Sequence, residues 1–354
     1  MLRPVPLLLS AVAGLACAGP APVSPPPGQA EAPEVYAETR PIMSTLVTVT
    51  VAAAPRGKAT AAAEAAFAAF THVEEVMNEW RPASPLSSLN VAAGSGRWVE
   101  MPGDLCQVLR IGRDGARRTG GLFDPTWAAL RGLWRFGEAE VPSVPPPEMI
   151  AARCPLVAWR DLELEPAPGS AAGPCRARLA RHGMQVGLGG LAKGWAVDRA
   201  VAELRRRGLS DFVVQAGGDL YAAGGHGGRP WTVGVRDPRG PPDEAFAWLD
   251  VSDRAFSTSG DYERFFVVDG VRHHHILDPR TCRPAEASRS ASVLAASAVE
   301  AEILGKAVFI LGGEAGLRLA EQEGAAALLV TSANRVMASP ALQARVRLER
   351  APSP

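Results

Sequence analysis

Residues 186–194 read Val-Gly-Leu-Gly-Gly-Leu-Ala-Lys-Gly, and this run constrains the fold more than any other. An apolar stretch leads into it. A helical pattern over 192–207 leaves it and stops at Gly208. Glycines let backbone approach a ligand closely, and a helix N-terminus favours an anion. Lys193, in the first helical turn, adds a mobile positive charge suited to phosphate. The spacing matches neither a Walker A loop nor the dinucleotide fingerprint, so a doubly wound nucleotide fold is not implied. A tight structural turn accounts for the same glycines.

The rest of the pattern agrees. Alternation over 45–51 predicts a strand, and Phe67, Phe70, Val73 and Met77 lie at helical spacing within 58–80. Further helices are expected over 104–119 and 125–136. Short strands are expected near 156–158, 162–165 and 177–180, then over 212–215 and between 231 and 276. Helices over 299–311 and 314–323, a strand over 326–331 and a last helix near 340–348 follow. Helices and strands mix without a regular βαβ repeat, so the expectation is α+β, mixed sheets with packed helices.

The N-terminus reads as an export signal over 1–18. Arg3 is the only charge before an apolar run too short to span a bilayer. Gly14-Leu15-Ala16-Cys17 resembles a lipobox in which Cys17 would be lipidated, although Leu15 sits one place late. Plain cleavage after Ala18 is the alternative. Residues 19–35, rich in Pro and Ala, form a tether, and 36–350 the folded domain. Export permits disulfides, and Cys154–Cys175, flanking short strands, is the expected pair. No Cys/His cluster has zinc spacing. Lys+Arg and Asp+Glu are equal at 37 each, so no basic excess points to nucleic acid.

Three further segments are dense in polar groups and glycine. Residues 215–219 read Gln-Ala-Gly-Gly-Asp, and a hairpin turn is the plain reading. Residues 257–264 read Ser-Thr-Ser-Gly-Asp-Tyr-Glu-Arg, a polar loop after a strand. Residues 273–281 read His-His-His-Ile-Leu-Asp-Pro-Arg-Thr and offer a base in His275, a carboxylate in Asp278 and a phosphate fork in Arg280. A histidine-rich surface tract is the bland alternative.

In this order the segments resemble the FAD:protein FMN transferase, or ApbE-like, family over nearly all of the mature chain. Met43-Ser44-Thr45 resembles its opening Met-Gly-Thr. Met77-Asn78-Glu79-Trp80, followed by Ser84, Ser87, Leu89 and Asn90, resembles its early helix end and Ser-rich loop. Gly121-Leu122-Phe123-Asp124-Pro125-Thr126, the stretch Gly189 to Asp198, Thr258-Ser259-Gly260-Asp261-Tyr262 and His275-Ile276-Leu277-Asp278-Pro279-Arg280-Thr281 are similar to its later signatures.

The resemblance implies an ApbE-like fold that binds FAD with Mg²⁺ and passes FMN to a Thr or Ser hydroxyl of a periplasmic or membrane flavoprotein, releasing AMP. It implies FAD contacts from Met43, Trp80, Phe123, Asp124, Gly189, Gly190, Lys193, Gly218, Thr258, Ser259, Asp261, Ile276 and Arg280. His275 or Asp278 would take the hydroxyl proton. Gly190, Glu302 and Lys306 fall at the metal positions. An FAD-binding protein without transfer and an FAD hydrolase are the alternatives. Three departures bear on these. Gly187 stands where the family has Asp, Cys282 where it has Gly, and Glu302 and Lys306 where it has Asp and Thr. Glu can ligate Mg²⁺, but an ammonium cannot. Spaced i, i+4, the pair shares a helix face, predicted to turn toward the site with Lys306 close to Glu302. A solvated Glu–Lys pair is the plain alternative.

Overall fold

The computed structural model describes residues 35–137, 141–166 and 173–354. The signal, Cys17 and the tether up to residue 34 lie outside the described residues, and Val35 opens the first strand.

An eight-stranded antiparallel sheet forms the centre. Its spatial order is Val35–Ile42, Thr45–Ala52, Phe212–Ala216, Asp219–Ala223, Arg254–Gly260, Ser288–Ala295, Ala326–Thr331, Val336–Ala338. Both faces are buried, and the period of two is legible in where side chains go. Val214, Tyr221, Val293 and Leu329 join one core, with the helices. Val213, Leu220, Leu294 and Leu328 turn the other way, toward a second core. That second core is closed by a three-stranded sheet of Trp231–Arg236, Ala245–Val251 and Val346–Leu348. The fold is α+β.

On the helical side, Arg56–Met77 presents Ala59, Ala62, Ala63 and Ala66 to the core, followed by Phe67 and Phe70. These small residues let it lie close against Ala192–Arg206. The helix Ala298–Leu311 is apolar almost all round and packs on Arg254–Gly260 and Ser288–Ala295. A helix of that kind must be buried. Each fully buried Phe, such as Phe212 or Phe309, contributes roughly 1.5–3 kcal/mol.

Several expectations need correction. Residues 125–136 hold only a 3-10 turn, Ala128–Leu130. Asp124 draws the Thr126 amide and hydroxyl into a turn, and Gly132 sits at φ 75°, which stops a helix. The strand near 156–158 is a second 3-10 turn, Cys154–Leu156. The last helix ends at Gln343, and Val346–Leu348 becomes a strand beside Ala245–Val251. The disulfide Cys154–Cys175 does not exist. Cys106 pairs with Cys175 across a Cα separation of 5.8 Å, and Cys154 with Cys282 across 5.6 Å. Cys175 lies on the middle strand of a three-stranded sheet, opposite Met101, just before the helix Gly103–Arg118 that carries Cys106.

Candidate active site

Two helices far apart in sequence cap one another, and this fixes the centre of the site. Asp198, in Ala192–Arg206, accepts from the amides of Ala298 and Val299 at 2.7 and 3.0 Å. Glu302, in Ala298–Leu311, accepts from the amide of Gly194 at 2.9 Å. Each carboxylate thus meets the positive end of the other helix. A Cβ on Gly194 would stand 2.6 Å from the Ala298 carbonyl oxygen, so glycine is required for the approach. Burial holds Asp198 up at about 6.

Around Glu302 lies a closed set of charges. Its carboxylate is fully buried. Oε1 accepts from Lys193 Nζ at 2.7 Å and faces Lys306 Nζ at 3.5 Å. Lys306 also donates to the Glu302 backbone carbonyl at 3.1 Å. Lys193 reaches a second carboxylate, Asp219 Oδ2, at 3.0 Å, whose Oδ1 accepts from Ser257 Oγ at 2.5 Å. Burial opposes the charged form of Lys193, but Asp219 and Glu302 outweigh it and raise its pKa. Burial and Lys193 together lower Lys306. Both lysine side chains keep about a quarter of their surface exposed, at 28% and 25%.

The glycine motifs shape that space. The stem of Lys306 and the ring of Phe123 both pass within 3.3 Å of where a Cβ on Gly190 would be. Gly218 lies against Thr258 of the neighbouring strand, which donates its amide to the Gly218 carbonyl. Thr258 Oγ1 bonds Ser292 Oγ, and Ser259 Oγ lies beside Gly305 of the Glu302 helix. Met43 and Ser44 turn between strands with φ of 54° and 56°, a conformation that is strained without glycine. They line an open depression of about 630 Å³ with Pro41, Thr45 and Glu74. Thr45 abuts Gly217, one bend from Asp219.

A carboxylate from the end of the early helix reaches the turn beside Gly187. Glu79 Oε2 accepts from the Leu188 amide at 3.0 Å, and its Oε1 holds Arg131 Nη2 at 2.5 Å. Arg131 lies across the face of Trp80, which is 72% exposed. A side chain at 187 would run into Ala128, Trp127 and Arg131.

Of the three consecutive histidines, His273 stacks on Trp134 and Phe266. His274 bonds the Ala285 carbonyl. His275 is exposed at the surface. Desolvation, aided by His274, Lys306 and Arg264, lowers its pKa to about 3, so the imidazole is neutral at ordinary pH. Ile276 beside it is buried in the main core.

Other residues singled out in the sequence are turned inward. Asp278 is forked by Arg280, from Nε and Nη2, and also takes the Arg280 amide. Asp124 is occupied by Thr126 and the Trp159 amide, and Asp261 by a two-pronged bond from Arg239. The turn 278–282 is tied down by Cys154–Cys282, with Cys282 at φ 56°, a conformation that suits the family's glycine. Asp198, Asp219, Glu79 and Arg131 were not singled out as site residues. Asp198, Asp219 and Glu79 stood inside quoted motifs, but nothing local marks Glu79 and Arg131 as partners.

The donor set does not suit a divalent metal. Both Glu302 oxygens are engaged, and two ammoniums stand beside them. A divalent ion here would have to displace Lys193 and Lys306 from the carboxylates they occupy. Among the described residues no three Asp, Glu, His or Cys side chains are grouped to hold a metal.

A buried ion cluster at two mutually capped helix ends thus lies under the glycine turn. The ApbE family model matches residues 43–329, and the chain belongs to the ApbE family. It is 34% identical over 345 residues to the FAD:protein FMN transferase of Rhodobacter capsulatus, covering 96% of this chain and 62% of that protein. It is 34% identical over 325 residues to that of Treponema pallidum, covering 88% and 89%. Among solved structures it resembles the ApbE protein of Thermotoga maritima, with a TM-score of 0.79 and 30% identity over 89% of this chain and all of that one. It also resembles the flavin transferase ApbE of Vibrio cholerae, with 0.76 and 26% over 88% and 99%.

Proposed function

We propose that this chain transfers the FMN half of FAD to a Thr or Ser hydroxyl of an exported flavoprotein and releases AMP. The observation that carries the reading is an accessible, neutral His275 within the field of Lys306, beside a lysine pair seated on the glycine turn. The relatives' shared activity supports it.

In this reading Lys193, Lys306 and the Gly189–Gly190 turn hold the pyrophosphate. Met43, Trp80, Phe123, Gly218, Thr258, Ser259 and Ile276 border the flavin and adenosine. Asp124, Asp261 and the Asp278–Arg280 pair hold the loops around them in place. His275 accepts the proton of the acceptor hydroxyl. The hydroxyl oxygen bonds to the FMN phosphorus as the bond to the bridging oxygen breaks. AMP leaves with that oxygen and the electron pair. Asp278, spent on Arg280, is the poorer base.

Two disulfides suit an oxidising compartment, and no helix of the described residues is long and apolar enough to cross a membrane. The reading therefore places the domain on the periplasmic side, tethered through a lipidated Cys17. The test is incubation with FAD and an acceptor domain, followed by flavin fluorescence in a denaturing gel. A fluorescent acceptor is expected. An acceptor that stays dark while its own established transferase labels it overturns the reading.

A further inference from the structure

The Glu302 cluster brings two ammoniums together at the glycine turn. Two ammoniums, Lys193 and Lys306, stand against two carboxylates, Glu302 and Asp219, so the cluster is neutral before any ligand arrives. The two lysines differ in how they are held. Lys193 bridges both carboxylates at 2.7 and 3.0 Å, which holds it more tightly while leaving one N–H of its three. Lys306 has one carboxylate contact at 3.5 Å and one carbonyl at 3.1 Å, which leaves an N–H of its three for something else. Its stem runs past Gly190, where a Cβ would come within 3.2 Å of Cε, so its ammonium stands at the glycine turn. On the other side its charge is felt by His275.

We infer that the Lys306 ammonium is the cation of this site: it takes up pyrophosphate charge directly, and the chain binds and uses FAD without a divalent metal. The inference rests on the FAD reading above. A tethered ammonium is a weaker charge than a divalent ion, but it is covalently placed and costs no dehydration of a metal. In the transfer step it would face the oxygens that gain charge as the bond between phosphorus and bridging oxygen breaks. The departing AMP keeps the electron pair, and the proton goes to His275. Glu302 in this scheme is the anchor that aims Lys306 and Lys193, not a metal ligand.

The experiment is calorimetric titration of FAD into the exported chain, once in EDTA and once with Mg²⁺, beside a titration of Mg²⁺ alone. The two FAD affinities are expected to agree within about twofold, and Mg²⁺ alone to give no binding heat. Lys306→Gln should weaken FAD binding in EDTA by about tenfold or more, the scale of one charge-assisted contact. Lys306→Arg, which keeps the charge, should retain most of it. Lys193 and the Gly194 amide still hold Glu302 in both variants, and a thermal melt checks the fold. The native comparison needs no variant. FAD binding that requires Mg²⁺ in the native chain, with Lys306→Gln indistinguishable from it, overturns the inference and leaves the FAD reading standing. A native chain that binds FAD in neither buffer overturns both.

Discussion

The Glu302 cluster and the turn 275–282 are built on opposite plans. The cluster sits at the start of two long helices inside the main core, and each helix caps the other. Its geometry comes with the fold. The turn sits at the surface against a satellite core of Leu130, Leu133, Trp134 and Ile150. It is held by a local Asp278–Arg280 fork, a Trp134 bond to the Cys282 carbonyl and one disulfide. Holding a charged ligand needs fixed charges that burial strengthens. Meeting a hydroxyl on another protein needs an accessible base. On the proposed reading, the difference assigns binding and proton transfer to separate devices, so each can be broken without the other.

The sharpest break is Lys193→Ala. It strands two buried carboxylates, and removing one partner of such a set costs about 3–5 kcal/mol. A large fall in melting temperature, together with weak FAD binding, is expected. Next is His275→Ala, which should lower turnover about a hundredfold or more with FAD affinity unchanged. The pH profile sharpens this. With the folded value at about 3 rather than 6.5, the base stays unprotonated through weakly acidic pH. The ratio kcat/KM should therefore hold through 6.5 and fall only as pH drops toward 3. An acid limb near 6.5 contradicts the assignment.

The disulfide gives a smaller effect confined to the turn. Replacing Cys154 and Cys282 by Ser removes a link across 128 residues and should cost about 2–4 kcal/mol of stability. Turnover should fall severalfold while FAD affinity holds. Equal loss of both would mean that the two regions are not separable. Smallest is Asp237→Asn, in the turn that carries Arg239. Against burial, the amides of Arg239 and Ser353 and the side chains of Ser353 and Arg350 lower Asp237 to about 2 from 3.8. Its contribution is present above pH 3.8 and lost as pH falls through 2. Asn should cost on the order of 1–2 kcal/mol at neutral pH, with FAD binding and turnover unmoved.

Much of this was legible. The alternation over 45–51, the helical spacing of Phe67, Phe70, Val73 and Met77 and the stop at Gly208 are local signals, and each led to the right element. The i, i+4 spacing of Glu302 and Lys306 predicted a shared face, and the two meet. What was not legible depends on contacts between distant segments. Residues 125–136 lose their helix to Asp124 and to the Trp127 bond with the Gly187 carbonyl, sixty residues on. The cysteine pairing follows from strand order, which the spacing does not encode. Glu79 reaches Leu188 only once the early helix is packed.

The central claim is tested most directly by counting both products in one reaction. The chain is given FAD and an acceptor domain, and AMP released is measured against flavin bound covalently to the acceptor. The account predicts equal amounts, and little AMP when the acceptor Thr or Ser is replaced by Ala. AMP released at the same rate without an acceptor, alongside free FMN, would make the chain a hydrolase. FAD bound with neither product would make it a carrier, and either result contradicts the account.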